Sequence, residues 1–411
     1  MDVGDHLYNP LEPGFAENPY PHYARMRDAN ETQRTPFGNV VLHRYDDCFT
    51  LLRQAGTSVD ERNATNLVQP VLPDDLAQRD RTERRRHSLL NLDPPDHTRI
   101  RRLVSSAFTV RRVEQLRDRV RVLVDELLDE VAEAGADGEP VDLMSRFAFP
   151  LPFEVITELL GMPEGDRDQL RAWAHTMTAG LEPFVDDDTV RKIFDAADLM
   201  DEHIYAALEW KRRNPADDLL SALIAAEEDG DTLSPTELVA QVVLLYIAGH
   251  ETTVNLIGNG TFALLTHRDQ LERLIADPSL DANAVDELLR WDSPVQLSRR
   301  IVMTETEIGG ETLSPGELVL TLLAAANHDP AHWGATVDEL DLGREGANGH
   351  LSFGSGVHHC LGSNLARLEG AEAIGALVRR FPKMEMASDT AQWNGRVVLR
   401  GLDALEIATE S

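Results

Sequence analysis

The sequence predicts a mainly α fold with small β regions, and three observations lead there. From about Arg99 to Arg290 the apolar residues recur with helical period. Short β-type runs occur only near the start and after Pro294. The composition, 42% hydrophobic and 27% charged, is that of a globular chain able to bury a sizeable core.

The elements follow in order. A lead-in containing Pro10, Pro13, Pro19 and Pro21 runs into a branched apolar strand at 39–45. Helical periodicity then marks 112–134, 153–160, 190–213, 219–228, 235–265 and 284–289. After Pro294 the pattern changes to strands and turns. Gly309-Gly310 between short β-type runs is a hairpin signal, and 317–323 reads as the next strand. The stretch 327–352 has no periodicity and is long for a loop, which implies that it has a job. A last helix is expected at 361–381 and a last strand pair at 397–407.

Charge and cysteine content exclude several function classes. Lys and Arg number 39 against 71 Asp and Glu, a net charge of −32, so the global field repels nucleic acid and anionic lipid. Cys48 and Cys360 are the only cysteines, too few for a disulfide framework or a four-cysteine iron–sulfur cluster. The start of the chain is charged, and no apolar run of membrane-spanning length follows. The expectation is a cytoplasmic protein with no membrane or nucleic-acid partner.

The most informative segment is Phe353-Gly354-Ser355-Gly356-Val357-His358-His359-Cys360-Leu361-Gly362. It sets one Cys in a Gly-rich loop just before a helix, where glycines let the backbone approach something flat or bulky. Backbone N–H groups and the positive end of the helix favour a thiolate there, which suits a metal ligand. A lone Cys in a turn is most often a small buried residue, but this pattern would arise by chance on the order of one time in a million.

In these residues the chain resembles the cytochrome P-450 superfamily, haem-thiolate monooxygenases, and its soluble bacterial members in particular. The likeness spans nearly the whole sequence. It implies the cytochrome P-450 fold, a helical prism enclosing haem, with residues 1–411 as a single catalytic domain. A β-rich lobe would come from about 35–60, 295–325 and 395–411, and a helical lobe from about 95–290 and 361–381. The implied cofactor is haem b, iron protoporphyrin IX. Cys360 becomes the proximal iron ligand, Phe353, Gly354 and Gly362 shape its loop, and His358 partners a haem propionate. A single axial thiolate favours O–O cleavage.

Other segments match the same family. Ala248-Gly249-His250-Glu251-Thr252-Thr253 lies inside an apolar helix, where a mid-helix Gly costs about 1 kcal/mol against Ala and a haem face close by would explain it. Ala248 and Gly249 are carried over as cofactor-binding, Glu251 and Thr252 as catalytic. Thr252 can turn its hydroxyl to the carbonyl of Ala248 and open a notch for O2 and water. Glu287 and Arg290 stand at i,i+3 on one helical face and match the family's structural brace. The family often adds an Arg from the following loop; the aligned segment 337–341 carries Glu339 in its place. His97 and Arg101, at i,i+4 after a possible Asp96 cap, and Arg300 match propionate clamps.

The function so implied is insertion of one oxygen atom from O2 into a small apolar organic substrate, by hydroxylation or epoxidation. Electrons would come from a separate ferredoxin or flavodoxin with its NAD(P)H reductase, since the residues are already taken up by the oxygenase. Two alternatives stay open: a peroxide-using haem-thiolate enzyme, and a catalytically silent haem-containing binding protein. The substrate segments implied are about 65–90, 176–200, 295–297 and the turn near Val397. Against the global charge, residues 79–121 hold 13 Arg and 6 Asp or Glu, a candidate docking face for an acidic electron donor.

Overall fold

A computed structural model of the chain describes residues 7–29, 32–35, 38–67, 76, 86–163, 167–183, 185–228, 231–388 and 390–409. The described residues gather into two compact units. The first draws on Met1–Val68, Arg119–Leu151 and Thr252–Ser411, the second on Gln69–Asp118 and Pro152–Glu251.

The first unit holds a five-stranded sheet in the order Thr32–Arg34, Val40–Leu42, Leu318–Leu322, Leu297–Val302, Thr57–Ser58. Val40–Leu42 runs parallel to Leu318–Leu322, and the other pairs are antiparallel. Side chains alternate between faces, and both faces are covered. Val40 and Leu42 enter a core with Cys48, Leu51 and Val319, while Val41 joins Phe15, Tyr23 and Ala324. That two-sided burial is why the strand reads as unbroken apolar sequence. It is shorter than the expected 39–45, because Tyr45 opens the helix Tyr45–Arg53, whose Tyr45, Cys48, Leu51 and Leu52 line one buried face.

The hairpin forms as expected, with Thr306–Ile308 and Glu311–Leu313 joined by Gly309 and Gly310 at φ 59° and 76°. A two-residue connection needs the left-handed region at both positions, which glycine adopts without steric cost. The expected pair within 397–407 does not form. Leu402–Ala404 pairs with Gln392–Trp393, and Glu406–Ala408 pairs with Glu385–Met386 and Val141–Asp142. Only Leu405 separates the two strands, so no turn can fold one onto the other. The helix Ser363–Arg380 packs on Asp281–Trp291, where a Cβ at Gly370 would lie 3.2 Å from Val285 and Arg379 forks onto Asp281 at 3.0 and 2.6 Å.

In the second unit Asp186 accepts from Thr189 N–H at 2.7 Å to start Asp187–Arg213, and Asp218 accepts from Ser221 N–H at 2.8 Å to start Leu219–Ala225. That second helix ends before the expected 228, since Glu227–Glu228 pairs with Asp231–Thr232. Asp96 is not a cap. It is the first residue of Asp96–Ala107, where its charge favours the positive helix end. The expected helix 112–134 is two, Val110–Gln115 and Arg117–Ala134, and Arg167–Thr178 is a helix the sequence reading left out. The long helix Pro235–Thr266 carries the unit boundary between Glu251 and Thr252. Among the described residues no helix is long and apolar enough to cross a membrane.

Candidate active site

The cysteine loop belongs to the first unit. Cys360 N–H donates to the Phe353 carbonyl at 2.9 Å and Gly354 N–H to that of Leu351 at 2.7 Å, so the loop is closed by its own backbone. Gly356 has φ 72°, and a Cβ there would sit 2.3 Å from the carbonyl oxygen of Leu52, so the loop runs against the helix Tyr45–Arg53. Cys360 is exposed, three residues ahead of Ser363–Arg380, and a Cβ on Gly362 would face its Sγ at 4.0 Å. Cys48 has no such access: it is buried, its thiol donates to the Leu42 carbonyl at 3.4 Å, and burial pushes its pKa well up.

Phe353 is fixed from behind. The Arg367 guanidinium lies 4.6 Å from its ring centroid, and Asp286 accepts from Arg367 Nε at 2.8 Å and pairs with His350 Nε2 at 3.1 Å. Burial pushes the Asp286 carboxyl up, but these two partners outweigh it and hold the pKa below the ordinary value. Burial also drives His350 down, toward the neutral ring.

The Glu287–Arg290 brace is complete, and its third arm is Arg344. Glu287 and Arg290 are fully buried and meet at 2.8 and 2.9 Å. Arg344 Nε lies 3.1 Å from each Glu287 oxygen. Glu339 does not stand in the place of the arginine. Its side chain is exposed, and only its carbonyl takes part, accepting from Arg290 at 3.2 Å and Arg344 at 2.8 Å. Arg290 also donates to the carbonyls of Asn327 and Val337, both at 3.0 Å, which is how the irregular stretch is held.

Arg300 sits on Leu297–Val302 and is buried, with Nη1 donating to Ser298 Oγ at 3.1 Å and the Arg299 carbonyl at 2.7 Å. His358 is half-buried in the turn Gly356–His358. Two of the expected substrate segments come together here: Gln296 N–H donates to the Val398 carbonyl at 2.9 Å beside a Val295–Leu399 bridge. Of the segment 65–90, residues 68–75 and 77–85 lie outside the described residues.

In the second unit the long helix presents an exposed Ala248, a half-buried Gly249 and a buried Glu251; Thr252, the next residue, is half-buried. A Cβ on Gly249 would lie 3.3 Å from Ile156 Cδ1 and 3.4 Å from Cγ1, so close helix packing also favours glycine there. Glu251 Oε2 is 3.1 Å from His175 Nδ1 and 3.9 Å from His250 Nδ1. His175 was missed by sequence reasoning because no local pattern links residues 76 apart. His97 is buried and Arg101 half-buried on Asp96–Ala107.

The basic segment is partly neutralised. Arg99 pairs with Glu237 and Asp231, Arg112 with Asp217, Arg117 with Glu114, Arg119 with Glu126 and Arg121 with Glu372. Arg79, Arg81, Arg84 and Arg85 lie outside the described residues.

The family profile for Cytochrome P450 matches residues 40–277 and 278–395. The chain belongs to the cytochrome P450 family. It is 42% identical over 400 residues to vitamin D(3) 25-hydroxylase of Pseudonocardia autotrophica, covering 96% of this chain and 94% of that one. It is 42% identical over 318 residues to 6-deoxyerythronolide B hydroxylase of Saccharopolyspora erythraea, covering 77% and 76%. Among solved structures, the Bacillus subtilis bacillaene polyketide synthase cytochrome P450 PksS superposes with a TM-score of 0.87 at 35% identity, over 98% of this chain and 100% of that one.

As a cytochrome P450 the chain is a haem-thiolate monooxygenase that binds iron protoporphyrin IX. Its residues fit that group. Within the first unit the exposed Cys360 offers one soft anionic ligand on a backbone-closed loop, and Arg300 and His358 offer cationic or hydrogen-bonding groups of the kind a propionate takes.

Proposed function

We propose that this cytochrome P450 hydroxylates a large, mostly saturated alicyclic substrate of the sterol or macrolactone kind. The observation that carries this is the likeness, over 96% of the chain, to a protein named for the 25-hydroxylation of vitamin D(3). A second hydroxylase of equal identity is named for 6-deoxyerythronolide B, and both named substrates are bulky and chiefly apolar. The apolar Val295 and Leu399, bridged to each other, suit such a ligand.

Haem, when bound, activates O2 with two electrons and two protons, giving one oxygen atom to the substrate and one to water. Cys360 holds the iron, and Phe353, Gly354 and Gly362 keep the sulfur in place. His97, Arg101, Arg300 and His358 hold the propionates. Ala248 and Gly249 keep one helix face low. Glu251 would carry protons inward, and Thr252, whose hydroxyl can turn to the Ala248 carbonyl, would orient a water and the proton it passes on. Residues 1–411 act as one catalytic domain. Electrons come from a separate ferredoxin or flavodoxin with its NAD(P)H reductase.

A panel of vitamin D(3), a steroid, a macrolactone and a C14 fatty acid, titrated against the haem spectrum and then assayed for product, tests the substrate class. Tightest binding and turnover are expected for the ring compounds. Selective turnover of the fatty acid alone would overturn the proposal.

A further inference from the structure

Glu251 is 2% exposed, whereas the His175 ring bonded to it is 41% exposed. Both belong to the second unit. His175 Nδ1 lies 3.1 Å from Glu251 Oε2; when Glu251 is ionised it can only accept, so the proton of that bond is then on Nδ1, and Nε2 is the ring's other exchangeable nitrogen. A carboxylate this deeply buried cannot take protons from bulk water at a useful rate without a group that reaches both. His250 is no substitute. Its Nδ1 lies 3.9 Å from the same oxygen, but the residue is fully buried and packs edge-on against Phe153, so it shapes the local field without reaching solvent. Arg171, one turn before His175, is tied to Asp168 at 3.1 Å. His175 therefore joins water to the acid beside Thr252.

We propose that His175 is the positioning residue through which Glu251 is reprotonated from solvent. Hydronium protonates Nε2, the Nδ1–H bond breaks as an Oε2–H bond forms on Glu251, and the ring is left neutral. A half-turn of the partly exposed ring brings the protonated nitrogen back to the carboxylate for the next cycle. This rests on the reading of Glu251 as the proton carrier.

Three variants of the haem-loaded protein separate the possibilities: His175→Gln, His175→Phe and Glu251→Gln. Glutamine can still donate to the carboxylate but cannot pass a proton. In His175→Gln, turnover at saturating substrate is expected to fall about tenfold. The solvent isotope effect should rise and the rate should become steeper in pH, while the substrate Kd stays unchanged. In the reduced, carbon-monoxide-bound protein, the 15N resonance of His175 Nδ1 should move on Glu251→Gln, a readout independent of turnover. Wild-type turnover and isotope effect in His175→Gln, with Glu251→Gln slow, would overturn the relay and leave the role of Glu251 standing. Unchanged turnover in Glu251→Gln would overturn both. His175→Phe removes the hydrogen bond as well; if it alone is impaired, His175 merely anchors the acid and the relay is wrong.

Discussion

Arg344 meets both carboxylate oxygens of Glu287 at 3.1 Å, from a loop position five residues beyond the one aligned with the family's third arm. Glu287 and Arg290 are fully buried and Arg344 nearly so, and removing one member of such a set leaves an uncompensated charge. Arg344→Ala is expected to cost about 3–5 kcal/mol of stability. Glu339→Ala, which leaves the carbonyl in place, should stay within about 0.5 kcal/mol of wild type. Denaturant melts of the two variants check this. A Glu339→Ala loss comparable to that of Arg344→Ala would return the third arm to Glu339.

Cys360→Ala should abolish the thiolate-type spectrum of the reduced, carbon-monoxide-bound haem, whereas Cys48→Ala should preserve it. Cys48 packs among Val40, Leu42 and Leu51 and its thiol donates to the Leu42 carbonyl, so its truncation costs about 1 kcal/mol without touching the haem ligand. Spectra of both variants decide the ligand. A thiolate band surviving in Cys360→Ala would refute the assignment.

Thr252→Ala is expected to keep substrate binding but divert electrons into peroxide, and Glu251→Gln to slow turnover. Peroxide formed per NAD(P)H, measured beside product, separates the two. Coupling and rate unchanged from wild type in both variants would sink the assigned roles.

Glu369, on the cysteine helix, is buried, and its Oε2 has no hydrogen-bond partner among the described residues. Burial raises its pKa well above the ordinary value. Unfolded, it titrates near about pH 4.3. Above that pH the unfolded chain sheds its proton while the folded one keeps it, so stability falls as pH rises toward the folded pKa. Glu369→Gln should remove that decline. The difference in Tm between variant and wild type is therefore expected to move in favour of the variant from pH 4 to pH 8. Parallel curves would show that the carboxyl ionises freely in place.

The basic segment makes a narrower docking prediction than its arginine count implied. Arg112 is engaged with Asp217 and the Asp218 carbonyl, so its reversal would disturb a fold contact. Arg102 is exposed. Arg102→Glu should slow reduction by an acidic ferredoxin without altering substrate affinity, and wild-type reduction should slow as the Debye length drops below about 10 Å. Salt-independent reduction, equal in both proteins, would remove this face from consideration.

The parts legible in the sequence were those with a local signature. The Cys360 loop, the Glu251–Thr252 pair and the Gly309–Gly310 hairpin each occupy a few consecutive residues whose types restrict the backbone or the chemistry. Arg344 and His175 had none. Each acts across a gap of 57 or 76 residues, and a single Arg or His carries no periodic signal. Arg167–Thr178 did show Leu170, Ala174 and Met177 at helical spacing, but three apolar positions in a short charged segment are a weak pattern. The close approach of Gly249 to Ile156 had no such signature either, because Ile156 is remote in sequence.

The way the stretch after Asn327 is held has an evolutionary corollary. Arg290 and Arg344 grasp the carbonyls of Asn327, Thr336, Val337 and Glu339, and every amino acid supplies a carbonyl. Between Thr336 and Glu339 the segment is held mainly by its backbone carbonyls, so its length matters more there than its side chains. Its exposed positions can drift in identity at little cost, while inserting or deleting even one residue between Asn327 and Thr336 shifts the carbonyls of Thr336, Val337 and Glu339 out of register with their guanidiniums.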